Sequence, residues 1–383
     1  MKIKTMRKTA GFTLIELMVS MSITLVLLYA AVSIFGDASR SNQVVTQATD
    51  MTENLRAGLN LIQQDLQQAG TGIPNTGISI PFSSNGSTTA PCGTTAEPNI
   101  PTLFGSTQFR LCNATMPVIE PGHGVGPLVQ APDGSTTNST DEITMLYADS
   151  TLGLDAKPIN QPANPGPPAQ PACNGTLTLT GNTLTVNFDT TCIDVTKTNT
   201  KLNPGDLIMF SNSQGNTIMA VTSASGTSAT FGSGDAFNLN ARNTDTSGTI
   251  WQLQTSSTCG GAPTCFPPTT ATRVWMISYY LDNLSSPPYV RLIRRVNFNA
   301  PSPVGETLEN LQFTYNLVDG VTNPSNLAAI PNNSSESQIR AVNVLLGARS
   351  TYLTKTGATP MYARNNLVTQ ISLRSMAYYN KYQ

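Results

Sequence analysis

Residues 11–35 read GFTLIELMVSMSITLVLLYAAVSIF. Nearly every side chain in the stretch suits a hydrocarbon interior. From Leu14 to Phe35 the run is about long enough to span ~30 Å as a helix rising ~1.5 Å per residue. Lys2, Lys4, Arg7 and Lys8 stand just before it, and no second such span follows. Basic flanks stay on the cytoplasmic side, so the pattern predicts a single-pass inner-membrane protein with its amino end in and its bulk out. Glu16 is the anomaly, because a carboxylate without a partner in a bilayer costs several kcal/mol. The residues after Phe35, GDASRSNQ, match a small-x-small signal cleavage site poorly.

Helical periodicity continues beyond the span. Val44, Ala48, Met51, Leu55, Leu59, Ile62 and Leu66 recur at steps of three and four, which draws one apolar stripe along a helix. Asp50, Glu53, Gln63, Gln64 and Gln67 fill the other faces, and Gly70, Gly72 and Pro74 supply the stop. The sequence therefore predicts one helix over about 12–69, apolar all round in its first half and amphipathic in its second. The stripe requires a sheet to cover it, since its steps do not hold a strict heptad for long.

The local pattern of a basic leader, Gly11, then Phe12-Thr13-Leu14-Ile15-Glu16 opening an apolar helix resembles the processing site of type IV prepilins and type II secretion pseudopilins. The resemblance implies a leader of residues 1–11, cleavage between Gly11 and Phe12 by a prepilin peptidase, and N-methylation of Phe12. It also gives Glu16 a role in assembly, as partner of a neighbouring subunit's terminal amine. Pairing two charges in an apolar bundle offsets their desolvation. Loss of the leader takes 4 of the 21 basic residues, leaving 17 against 22 acidic, or −5 before the new amine is counted.

Only 11% of residues are charged and the formal net charge is −1, so total charge makes no case for nucleic acid. Ser, Thr, Asn, Gly and Pro fill the gap, which favours strands joined by many turns outside the cytoplasm. The cysteines fall at Cys92 and Cys112, Cys173 and Cys192, and Cys259 and Cys265. Sequential pairing is one of fifteen connectivities. Zinc is the competing reading, but the spacings lack close CxxC pairs and His123 is the only histidine. Disulfides imply an oxidising compartment.

Candidate strands are 142–147, 177–188 turning at Gly181-Asn182, 207–211, 217–222, 249–253, 274–282, 289–297, 311–317, 339–346 and 367–378. Residues 75–140 and 155–173 read as loops, and NQPANPGPPAQP as extended and exposed. LIQQDLQQAG at 61–70, NPGDLI at 203–208, VWMISYYLDN, YVRLIRRVN, LENLQFTYNLVDG and IRAVNVLLGARS occur in an order that resembles the minor pilins called PilW. Regions near 80–140 and 225–272 look like insertions. The expected fold is α+β and pilin-like: a leader at 1–11, a membrane and polymerisation helix at 12–35, its amphipathic extension at 36–70, and a β-rich domain at 71–383 on an antiparallel sheet.

No catalytic constellation, cofactor motif or metal motif stands out, and the expectation is a non-enzyme without cofactor or metal. His123 lies in PGHGVG, where a loop histidine is the plain reading. Asp133, Asp141 and Glu142, or Asp235 and Asp245, are oxygen donors of the kind calcium takes, without an EF-hand spacing. Arg291, Arg294 and Arg295 near Tyr289 suit either an anionic partner or a salt-bridged sheet. The resemblance implies a minor pilin that primes assembly and stays near the filament tip. Its partners would be other minor and major pilins, the prepilin peptidase and the inner-membrane assembly machinery, with no nucleic acid. A J-type pseudopilin of type II secretion and a membrane-anchored periplasmic enzyme or receptor are the alternatives.

Overall fold

The structure is a computed structural model that describes residues 13–81, 115–130, 137–149, 158–161, 173–192, 195, 201–240, 248–256, 258–282, 290–318, 336–351 and 362–379. The chain opens with α1 (Leu14–Gln68), one unbroken helix of 55 residues, about 83 Å long at ~1.5 Å per residue. It ends where the sequence stops it. Ala69 N–H donates to the carbonyls of Asp65 and Leu66, and Gly70 takes φ +80°, a left-handed conformation that suits glycine. Gly70 N–H then donates to Leu146 O and ties the helix end to the sheet.

Eighteen strands follow among the described residues. They are β1 (Ile78–Ser79), β2 (Thr115–Met116), β3 (Ile119–Gly122), β4 (Leu128–Gln130), β5 (Thr137–Ser139) and β6 (Glu142–Asp149). Next come β7 (Thr176–Thr180), β8 (Thr183–Asn187), β9 (Leu207–Asn212), β10 (Gly215–Ala220), β11 (Ser223–Ser225) and β12 (Ser228–Phe231). The last are β13 (Thr270–Asp282), β14 (Arg291–Val296), β15 (Ser302–Glu306), β16 (Leu308–Leu317), β17 (Ile339–Arg349) and β18 (Arg364–Ser372), before a short helix α2 (Arg374–Tyr379). All pairings are antiparallel.

β13 organises the largest sheet. One of its edges pairs with β6, which also carries β3, and the other pairs with β9 and then β14. β10 and β15 lie beyond β9 and β14. A three-stranded sheet, β16-β17-β18, packs beside it against α1, and a four-stranded sheet runs β11-β12-β8-β7. Two cores result. The first joins Met51, Leu55, Leu59, Ile62 and Leu66 of α1 to Leu146, Met276, Leu292, Phe313 and Leu346. The second joins Leu177, Leu184, Val186 and Phe231 of the four-stranded sheet to Ile208, Phe210 and Met219. β9 serves both, because alternate side chains of a strand face opposite ways: Leu207 and Met209 enter the first core, Ile208 and Phe210 the second. Phe210 and Phe231 meet edge to face at 5.3 Å, holding the sheets together.

Several expectations need correction. Residues 249–253, read as a strand, form a 3-10 turn at Ile250–Leu253 that buries Ile250 and Leu253. The strand expected at 367–378 ends at Ser372, and α2 follows. Within 75–140, read as loop, the described residues carry β1 to β5. The stripe on α1 is covered only from Met51 onward; Val44 is 43% exposed and Ala48 is exposed as well. Cys173 pairs with Cys192 and Cys259 with Cys265, in sequential order. Cys92 and Cys112 lie outside the described residues.

Candidate functional site: a bare helix pinned to a sheet

The candidate site is built on the two halves of α1, which differ in exposure. In the first half, Thr13 caps the helix, and its hydroxyl oxygen accepts from Glu16 N–H at 3.4 Å. Thr13 and Glu16 stand three apart, the spacing of a capping box, and the carboxylate sits in the first turn, where the helix dipole favours it. Gly11 and Phe12 lie just outside the described residues. Glu16 is exposed, and so is every side chain from Leu14 to Phe35: Leu14 is 79% exposed, Tyr29 79% and Phe35 78%. Ser20, Ser22 and Thr24 fold their hydroxyls back onto backbone carbonyls of the same helix, which hides them from an apolar surrounding. Among the described residues α1 alone is long and apolar enough to cross a membrane.

In the second half, the helix is fixed by more than its stripe. Asp65 is 4% exposed. Its Oδ2 accepts from Tyr279 Oη at 2.5 Å and from Arg294 Nε at 2.7 Å, and its Oδ1 accepts from Arg294 Nη2 at 3.2 Å. Burial, and then the Asp65 carboxylate, push the Tyr279 hydroxyl well above its ordinary range, so it stays a donor. In the sequence Asp65 stands within LIQQDLQQAG, with no expected role of its own. The available signal was an acidic residue between Ile62 and Leu66 on the buried side of an amphipathic helix.

The other candidate residues that the structure describes make contacts within the fold. Asp141 is 1% exposed, and its Oδ1 accepts from Gly124 N–H at 2.9 Å and faces His123 Nδ1 at 3.0 Å. Its Oδ2 accepts from Phe313 N–H at 2.8 Å. Burial raises the Asp141 carboxyl, and these donors oppose the rise. Among the described residues, the ring partner of His123 is the Asp141 carboxylate. Asp235 accepts from the backbone N–H of Leu239 and Asn240. Asp133, Asp245 and Tyr289 lie outside the described residues, and among the described ones no acidic, histidine or cysteine group is placed to hold a metal. Arg291 faces Asp282 at 3.8 Å, Arg294 holds Asp65, and Arg295 lies 5.2 Å over the Phe298 ring while donating to Asn299 O. Glu142, 2% exposed, is pushed well above the carboxylate range by burial, against the pull of Arg295.

Comparison with known proteins agrees with the first half of α1. A family model described as the prokaryotic N-terminal methylation motif matches residues 6–32. No curated protein and no solved structure matches the chain. The match supports a membrane-anchored, type IV pilin-like protein, processed by a prepilin peptidase and assembled with other pilins.

Proposed function

We propose that the chain is a minor pilin of the PilW type, which primes filament assembly in the inner membrane and stays at or near the filament tip. The observation that carries the reading is the exposed apolar helix with Glu16 in its first turn, inside the matched methylation motif. An apolar surface of that length needs lipid before assembly and other helices after it. Glu16 then has one inexpensive resting place, beside the amine of a neighbouring Phe12. The β-rich domain, with a second core stacked beyond the first, suits a position where lateral neighbours do not limit bulk. The role is structural rather than enzymatic, with the amino end cytoplasmic before assembly.

The test is intact mass and amino-terminal sequencing of the chain from membranes and from sheared filaments. The expected product starts at N-methylated Phe12 in both fractions, in low amount in the second. Glu16→Val and Gly11→Ala should each block incorporation while leaving the β-domain folded. Wild-type incorporation of both variants, or a chain still starting at Met1, overturns the reading.

A further inference from the structure

We propose that β18 is a docking edge that takes an extended strand from a different subunit of the same assembly, a partner that rests on the pilin reading above. A sheet edge presents unpaired N–H and C=O groups, and folded proteins blunt such edges with short strands, prolines, charges, bulges or covering groups. Among the described residues, each other sheet edge is blunted. β7 is covered by the loop closed by Cys259 and Cys265, where Gly261 O accepts from Leu179 N–H at 2.8 Å. β10 is capped by the Asn240 side chain, which accepts from Ala220 N–H and donates to Ala220 O. β16 is capped by Asp141, whose N–H donates to Leu311 O while its carboxylate accepts from Phe313 N–H. β15 carries Pro303 and sits at a register break, β3 carries Pro121, and β11 has three residues. The two-stranded pairs β1-β2 and β4-β5 are two and three residues long.

Among the described residues, β18 has none of these devices from Asn365 onward. It is nine residues long, pairs with β17 in continuous register and, from Asn365 to Ser372, carries no charge and no proline. Leu373 N–H donates to Arg340 O and Ser350 N–H to Ala363 O, so odd-numbered residues bond toward β17. The even-numbered Asn366, Val368, Gln370 and Ser372 therefore aim their main-chain groups at the open side. Among the described residues no main-chain bond reaches them from that side. Val368 is 70% exposed, and beside it Leu345, Gln312, Thr314, Asn343 and Gln370 line an uncharged hollow of about 460 Å³. Main-chain groups supply affinity and such hollows supply side-chain choice when a strand is added to a sheet.

Geometry selects the occupant. A Cβ on Gly58 would lie 3.2 Å from Leu346, the neighbour of Leu367, and one on Gly70 would lie 3.3 Å from Ser375. Chain direction along β18 therefore follows that of α1. A two-fold pair of β18 edges is antiparallel, so it would send the two membrane helices in opposite directions. Subunits anchored in one membrane cannot pair that way, which leaves a strand of a different chain.

The test is residue-resolved hydrogen exchange on the full chain, assembled and detergent-solubilised. The expected result is that the amides of Asn366, Val368 and Gln370 exchange at least about 100-fold more slowly when assembled. A photoreactive side chain at position 370 should bond an extended segment of another pilin-like subunit, and V368P should abolish that product. V368P removes an outward N–H and keeps the β17 ladder, a position where an edge tolerates proline. Equal exchange in both states, a bond to a second β18, or a bond within the same chain overturns the proposal. A processed and assembled chain with freely exchanging even amides overturns the docking edge alone; a chain starting at Met1 overturns both readings.

Discussion

Arg294→Met should be among the most damaging conservative-volume substitutions in the β-domain. It removes two of the three donors to Asp65, Nε at 2.7 Å and Nη2 at 3.2 Å, and leaves a carboxylate that is 4% exposed with Tyr279 alone. Removing one member of a buried ion pair costs about 3–5 kcal/mol, because the remaining charge stays desolvated. Asp65→Leu should cost less, about 2 kcal/mol, because the Arg294 side chain is 24% exposed and can turn its guanidinium to water. The double variant should be milder than the sum by about 2 kcal/mol or more, since an apolar pair replaces an ionic one. The assay is urea unfolding of the full chain in detergent, followed by the fluorescence of Trp251 and Trp275. At an m-value of about 3 kcal/mol/M, Arg294→Met moves the midpoint down by about 1 M. A shift below about 0.3 M, or a coupling under about 0.5 kcal/mol, would refute the claim that this pair fastens α1.

Two other outcomes are expected. Among the described residues the buried Oε2 of Glu120 has no hydrogen-bond partner, and burial followed by the nearby Glu336 pushes its carboxyl from 4.5 up to about 8. A raised acid contributes stability that is fully present below pH ~4.5 and is lost as pH rises through about 8, so Glu120→Gln should be neutral at pH 4 and stabilising at pH 8.5, by on the order of 2 kcal/mol. A pH-independent difference between the two proteins would contradict it. Removing Cys173–Cys192 by a double serine substitution should cost about 3 kcal/mol, from the entropy of a loop of separation 19, read as a lower melting temperature. An unchanged melting temperature would show that the loop is ordered without the bond.

Much of this fold is legible in the sequence, for reasons that are local. The stripe from Met51 to Leu66 and the Gly70 stop fix the helix within a residue or two, and Gly181-Asn182 fixes a hairpin. Long alternating strands such as Leu308–Leu317 announce themselves by period. What was missed depends on distant partners or on weak patterns. SAS at 223–225 and SPVGE at 302–306 have no apolar alternation, and their neighbours in the sheet make them strands. IWQL at 250–253 is an apolar run too short for periodicity to tell a strand from a turn. Asp65 looks like one more polar helix residue until Tyr279 and Arg294, 214 and 229 positions away, are brought to it. Asp141 likewise reads as a possible cation ligand, while the fold spends it on capping β16.

The attachment of α1 has a mechanical consequence. Met51, Leu55, Leu59, Ile62, Leu66 and the Asp65 pair lie along one line on the helix, beside a strand that runs the same way. A tug along the helix axis loads all of these contacts at once, in shear, so they must fail together. A tug across it opens the line from Met51 and breaks them one after another. The domain is joined to its anchor as a lap joint is, strong against tension along its length and weak against peeling, which is the sense of strength a fibre under load requires.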